Sequence, residues 1–292
     1  MANGINGLTK VCGIFGKPLQ HTFSPGMHNA AFAAAGLNYI YVPFEVEEDE
    51  LPAAVKAIRA LGLAGVNITI PYKEAVIPLL DEVSVEAGLI GAVNTVVNRQ
   101  GCLYGENTDG RGFLKAISEE LGFNPAGKTA CVLGAGGAAR AVAVQLALAG
   151  VKIITLANRS RPRAVELARH IMEKTGAPVQ VGEWPSYDSP QHSSLLENAD
   201  LVVQTTPIGM HPQASATVPL SFEQLKPGAV VCDLIYNPRQ TCFLERAAQA
   251  GAITMNGLGM LLYQGVLAFE LWTGRKAPVQ VMKEALRQSL KT

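Results

Sequence analysis

The sequence predicts an α/β fold in two domains, one of them a doubly wound parallel sheet. Three observations carry this. Apolar, β-branched runs alternate with helical patterns along the whole 292 residues. A Gly-x-Gly-x-x-Ala turn stands between an apolar strand and an alanine-rich helix near residue 135. Upstream, a strand-like run over 65–70 stops at Pro71 and delivers Lys73 just past its end, where α/β proteins place their chemistry.

Taken in order, strands are expected over 11–15, 38–42 and 65–70. A hairpin of 94–98 and 102–106 turns at Arg99-Gln100-Gly101. Helices are expected over 25–35, 48–61, 74–80 and 110–121. Ser24 fits the N-cap of the first, Pro25 its first position and Gly36 its stop. A helix start flanked by the hydroxyls of Thr22 and Ser24 is equally a carboxylate site. From about Asp109 regular βα units take over, with strands over 129–133, 152–157, 179–181, 201–204, 230–233 and 253–255, enough for a doubly wound sheet. The stretch 183–194, rich in Ser and Pro, reads as a surface loop. The last helices, from about Met260, read as amphipathic. This divides the chain into a domain of 1–108, completed by 258–292, and a domain of 109–257.

Composition narrows the function. Hydrophobic residues make up 48% and charged residues 16%, which suits a sizeable core. Net charge is zero, so nucleic acid and anionic membrane are poor partners. Residues 1–10 lack the apolar segment of a secretion signal. The most apolar region, 138–157, is broken by Gln145, Gly150 and Lys152 and reads as a buried helix and strand. Five cysteines without Cys-x-x-Cys spacing suggest reduced thiols and a cytoplasmic protein.

The glycine turn is a dinucleotide fingerprint in its required strand–turn–helix context, marking a Rossmann domain. Gly134 permits the tight turn, and Gly136 lets the backbone approach a pyrophosphate. Gly137 and Ala138 open a helix whose free amides attract that anion, and Ala139 keeps the helix close to the sheet. Ala135 lies within the same loop. The next strand ends Asn158-Arg159-Ser160, with Arg161 and Arg163 following, and no acid stands there to take ribose hydroxyls. Guanidiniums suit a 2′-phosphate, at roughly 1.5–3 kcal/mol per charged hydrogen bond, so NADP is expected over NAD.

On the substrate side, Asn67 and Thr69 alternate with apolar residues and so share a strand face beside Lys73. That set suits a small oxygen-rich molecule. Asn94-Thr95 and Asn107-Thr108-Asp109-Gly110 bracket the hairpin. Asp109 reads as a helix cap or as the partner of Lys73; in the second case the pair can donate to an alcohol or ketone oxygen without a metal. Tyr236, after the strand ending at Asp233, and Gln264, in the last helices, read either as ordinary surface or core residues or as site residues.

Together these motifs resemble the shikimate dehydrogenase family from about Val11 to Gln288. They are Ser24-Pro25, Asn67-x-Thr69-x-Pro71-x-Lys73, 91–95, 107–110, the glycine loop, 158–160 and 257–264. The resemblance implies a Rossmann domain set between chain ends that form the substrate domain. It implies reversible NADPH-dependent reduction of 3-dehydroshikimate to shikimate, in chorismate and aromatic amino-acid biosynthesis. It implies that Lys73 is the acid/base and Asp109 its partner. Substrate contacts would come from Thr22, Ser24, Asn67, Thr69, Asn94, Tyr236 and Gln264, and nicotinamide contacts from Leu234 and Gly257. A monomer or homodimer acting on a small molecule is expected. Two departures stand out: Thr22 where the family usually has serine, and Gln204-Thr205 where Asn-Ala or Asn-Thr is common. The rival readings are a quinate/shikimate dehydrogenase of broader substrate or cofactor use and a non-catalytic ligand sensor.

Overall fold

The computed structural model describes residues 4–20, 22–186 and 195–290, so His21 and most of the loop expected over 183–194 lie outside the described residues. The chain splits into two compact units, Met1–Gly112 with Leu261–Thr292, and Phe113–Met260.

The first unit holds β1 (Lys10–Gly16), α1 (Ser24–Ala34), β2 (Tyr39–Glu45), α2 (Leu51–Ala60), β3 (Gly65–Ile68), β4 (Glu82–Val83), α3 (Val85–Ile90), β5 (Thr95–Arg99) and β6 (Cys102–Glu106). Their strands form one sheet in the order β2-β1-β3-β5-β6-β4. β1 runs parallel to β2 and β3, and β5 runs antiparallel to β3 and β6. The β5–β6 hairpin turns through Gln100 and Gly101, both at positive φ, as a two-residue turn of this twist requires. Val55, Ile58, Val66, Ile68, Val96 and Leu103 belong to the core on this sheet.

The chain passes between the units through α4 (Asp109–Leu121) and α8 (Leu258–Thr273), and ends in α9 (Val279–Ser289). The second unit adds β7 (Thr129–Leu133), α5 (Gly137–Leu148), β8 (Ile153–Ala157), α6 (Arg161–Thr175), β9 (Val179–Val181), β10 (Leu201–Gln204), β11 (Val230–Asp233), α7 (Cys242–Gln249) and β12 (Ile253–Met255). All its strands pair in parallel, in the order β12-β11-β10-β7-β8-β9. The strand order reverses between β7 and β10, and the glycine loop leaves β7 at that switch point, where such sheets bind ligands. The apolar region 138–157 is the buried α5 and β8. The five cysteines are free. Among the described residues, no helix is long and apolar enough to cross a membrane.

Several local expectations are corrected. The strand expected over 65–70 ends at Ile68, leaving Thr69 beyond it and Ile70 exposed. The helix expected over 74–80 is only a 3₁₀ turn at Ile77–Leu79, because Pro78 cannot donate to a longer helix. β2 continues through Pro43, which an edge strand tolerates. The short β4 and α3 carry too few residues to show a period. The last helices are not both amphipathic. α9 buries one face, but α8 is buried on most sides, with Phe269 against Phe32 and the Trp272 indole N–H donating to the Val96 carbonyl at 3.0 Å.

Candidate active site

The site in the first unit is built from β3, the segment entering β5 and the start of α4. The Lys73 carbonyl accepts from the Val93 N–H at 2.8 Å, which ties the lysine loop to β5. Lys73 Nζ lies 2.6 Å from Asp109 Oδ2, with the lysine side chain 19% exposed and the carboxylate 8%. Asp109 opens α4, but its carboxylate bonds side chains: Asn94 Nδ2 donates to Oδ1 at 2.8 Å. The Asp109 N–H donates to Asn107 Oδ1 at 3.0 Å, and Asn107 in turn donates to the Ala92 carbonyl at 2.9 Å.

The buried amides behind this pair are committed to the protein. Asn94 also donates to Thr108 Oγ1 at 3.0 Å, while its Oδ1 accepts from the Thr108 N–H at 2.8 Å and Thr95 Oγ1 at 3.0 Å. Asn67 donates to the Asn94 carbonyl and to Thr95 Oγ1, both at 3.1 Å, and accepts from the Tyr41 hydroxyl at 2.8 Å. Lys73 differs. Asp109 is its one side-chain partner among the described residues, so the ammonium keeps two N–H donors for a ligand.

Ser24 does not cap α1. Phe23 holds the cap position, Pro25 follows Ser24 within the first turn, and among the described residues no side chain caps this helix end. The buried Ser24 side chain instead lies near the Tyr41 phenol, and the Ser24 N–H donates to Thr22 Oγ1 at 3.4 Å. His28, one turn on, stacks on Tyr41 with ring centroids 4.5 Å apart, and among the described residues neither of its ring nitrogens has a hydrogen-bond partner. Burial pushes its pKa down to about 3, so the imidazole is neutral at ordinary pH. Gln264 on α8 is buried and donates to the Leu261 carbonyl at 2.8 Å. A Cβ on Gly112 would stand 2.6 Å from the Gln264 nitrogen, so glycine there lets the first turn of α4 lie directly on α8.

The second unit presents a different arrangement. Gly134 has φ +123° and the Thr205 hydroxyl fills the place of a Cβ, so its glycine is explained by the protein itself. Gly136 is not so explained: its φ of −88° suits any residue and a Cβ would meet nothing within 4 Å. The α5 end it begins lacks a side-chain cap. Arg159, Arg161 and Arg163 are exposed at the start of α6, and among the described residues no side chain partners them. Positive charge at a helix N-terminus is unfavourable unless an anion offsets it. Asn158 donates to the Ser160 carbonyl at 3.0 Å and holds that corner. An open backbone at Gly136 beside free amides, with unpaired guanidiniums just after the next strand, fits a phosphorylated dinucleotide.

Farther along the same sheet, Gly257 packs its backbone against the Leu234 carbonyl where a side chain would overlap, and its N–H donates to the Ile235 carbonyl at 3.0 Å. Asp233, fully buried, holds this corner by accepting from the Ile235 N–H at 3.0 Å and the Thr241 hydroxyl at 2.7 Å. Burial pushes its pKa up to about 6. Burial likewise raises the Tyr236 phenol. Among the described residues, no group of three His, Cys, Asp or Glu is placed to hold a metal.

Three family models match the chain: the shikimate dehydrogenase substrate binding domain over 14–96, shikimate/quinate 5-dehydrogenase over 116–209, and the shikimate 5′-dehydrogenase C-terminal domain over 257–287. A shikimate dehydrogenase (NADP⁺) of Desulforamulus reducens is 54% identical, across 98% of this chain and 97% of its own. The chain belongs to the shikimate dehydrogenase family. A solved shikimate dehydrogenase in complex with NADP⁺ superposes with a TM-score of 0.92 at 42% identity, covering 100% of this chain and 99% of its own. One from Listeria monocytogenes, in complex with shikimate and NAD, gives 0.90 at 39%, covering 97% and 98%.

Within this family framework, the structure joins Lys73, Asp109, Asn94 and Asn67 in one network that continues to Tyr41, with Ser24 nearby. Thr22 attaches through the Ser24 backbone, and Gln264 through its contact with α4. Thr69 donates its N–H to the Phe15 carbonyl at 2.9 Å. Tyr236 falls in the other unit. Tyr41, Asp233 and Gln204 were not singled out as site residues from the sequence. An aromatic residue in an apolar strand gives no local sign of a polar task. Gln204, noted only as a departure, is fully buried and donates to the Thr206 and Ile208 carbonyls at 3.0 and 3.1 Å, shaping the loop after β10.

Proposed function

We propose that the protein is an NADP-dependent shikimate dehydrogenase, reversibly reducing 3-dehydroshikimate to shikimate and so serving chorismate and aromatic amino-acid biosynthesis. The observation that carries this is the Lys73–Asp109 pair at 2.6 Å, built on a buried amide network, in a chain of this family. Lys73 donates a proton to the ketone oxygen as negative charge develops there, and takes it back in the reverse direction. Asp109 orients the ammonium and, in the alcohol form, accepts from the hydroxyl at the same position. Asn67, with both amide protons committed, offers its Oδ1 to a substrate hydroxyl. Asn94 fixes Asp109 and forms the wall behind the ring. Thr22 and Ser24 receive the carboxylate, and Thr69, Gln264 and Tyr236 complete the contacts.

The nicotinamide, when bound, supplies the hydride chemistry. Residues 134–138 would hold the pyrophosphate, Arg159 and Arg163 with Asn158 and Ser160 the 2′-phosphate, and Leu234 with Gly257 the nicotinamide end. The unit Met1–Gly112 with Leu261–Thr292 serves the substrate and Phe113–Met260 the cofactor. The test is four initial rates: shikimate and quinate, each with NADP and NAD. Shikimate with NADP should be the fastest pair. A faster rate with quinate, or with NAD, would move the protein to the broader-specificity reading.

A further inference from the structure

We propose that Thr95 is a positioning residue for the reaction, its hydroxyl setting which way the Asn94 amide faces and thereby holding Asp109 on Lys73. This rests on the roles given above to Lys73 and Asp109. Thr95 opens β5, is fully buried, and lies directly across the ladder from Asn67. Its Oγ1 donates to Asn94 Oδ1 at 3.0 Å, accepts from Asn67 Nδ2 at 3.1 Å, and stands 3.3 Å from Thr108 Oγ1.

A hydroxyl has one proton and two lone pairs, so these contacts use its full capacity. They also fix polarity. Asn94 Oδ1 is drawn to the Thr95 hydroxyl and the Thr108 N–H, which turns Nδ2 toward Asp109 Oδ1 at 2.8 Å. Without the Thr95 hydroxyl, the amide loses a donor that distinguishes its two ends. A reversed amide sets its oxygen against the Asp109 carboxylate, and the partner of Lys73 shifts. Asn67 would at the same time keep only the Asn94 carbonyl for its two protons. Thr95 thus links the hydroxyl reader to the reacting pair without touching the reacting atoms.

Thr95→Val keeps the shape and removes the hydroxyl; Thr95→Ser does the reverse with the methyl. Turnover and KM for shikimate and NADP are measured for both beside wild type. The valine variant should lose about tenfold in kcat, as for one hydrogen bond expressed at the transition state, while serine stays within about twofold. KM for NADP should hold in both. Should valine fail to fold, Thr95→Ala against Thr95→Ser isolates the same hydroxyl, with the same loss expected in alanine. Wild-type turnover in the valine variant, or an equal loss in the serine variant, overturns the inference alone. A wild-type protein that does not reduce NADP with shikimate overturns the proposed reaction first, and this inference with it.

Discussion

The two candidate sites, one in each unit, meet their hydrogen-bonding needs in opposite ways. Around Lys73 the polar groups are buried and bound to one another: Asn67, Asn94, Thr95, Thr108 and Asp109 form one network before any ligand arrives. Around the glycine loop the groups are left open: Gly136 has empty space beside it, and Arg159 and Arg163 stand exposed without side-chain partners among the described residues. A group that handles a proton must already be in place when the substrate binds, because misplacement costs rate. A group that recognises a phosphate can remain solvated until the phosphate replaces the water. The difference shows where this protein invests in fixed geometry and where it leaves the ligand to complete the structure.

Substitutions sharpen the contrast. The largest effect is expected for Lys73→Met, which should lower kcat by roughly 10²–10⁴-fold while KM for shikimate and NADP moves far less. Steady-state kinetics would show this, and a variant with near-normal turnover would break the substrate-side half of the comparison. Arg159→Ala should weaken NADP by about ten- to a hundredfold, from roughly 1.5–3 kcal/mol per charged bond, and leave NAD nearly unchanged. Binding titrations with both nucleotides check it; equal losses would mean that the guanidinium does not read the 2′-phosphate.

The pH dependence of stability should also differ between the units. The His28 pKa falls from 6.5 to about 3 on burial, so the unfolded chain binds a proton the folded chain refuses, and stability drops as pH falls through that window. The Asp233 pKa rises from 3.8 to about 6, so here the folded chain holds the extra proton, and stability drops as pH rises through its window. Each pH unit amounts to about 1.4 kcal/mol at most. Melting curves from pH 4 to 7 should show His28→Gln gaining on wild type toward acid and Asp233→Asn gaining toward neutral pH. The smallest effect is expected for Gly136→Ala. Its backbone suits alanine, so the ligand-free protein should be slightly more stable, by about 0.4–1 kcal/mol, while NADP affinity falls. Melting with and without NADP separates the two.

Much of this was legible in the sequence because the signals were local. The Rossmann strands carried continuous apolar runs, and the glycine loop lay between a strand and a helix. The pairing of Lys73 with Asp109 was one of two readings of that carboxylate, beside a helix cap, and the 2.6 Å contact shows the pair. What stayed hidden depended on contacts distant in sequence. The Ser24 hydroxyl looked like a helix cap, but Phe23 holds that position and Ser24 is buried near Tyr41, from β2. The commitment of the Asn67 and Asn94 amide protons depends on strand register, which no local pattern reveals. The expected helix over 74–80 failed because a local breaker, Pro78, outweighed helical spacing.

Amide hydrogen exchange tests the contrast most directly. The N–H groups of Asn94, Thr108 and Asp109 are bonded to Glu106, Asn94 and Asn107. They should be protected in the free protein and change little when shikimate is added. Those of 136–139 and 158–160 should exchange faster and gain protection with NADP. Rapid exchange at Asn94, Thr108 and Asp109 until substrate binds, or slow exchange in the glycine loop without NADP, would contradict a substrate side already formed and a cofactor side completed by its ligand.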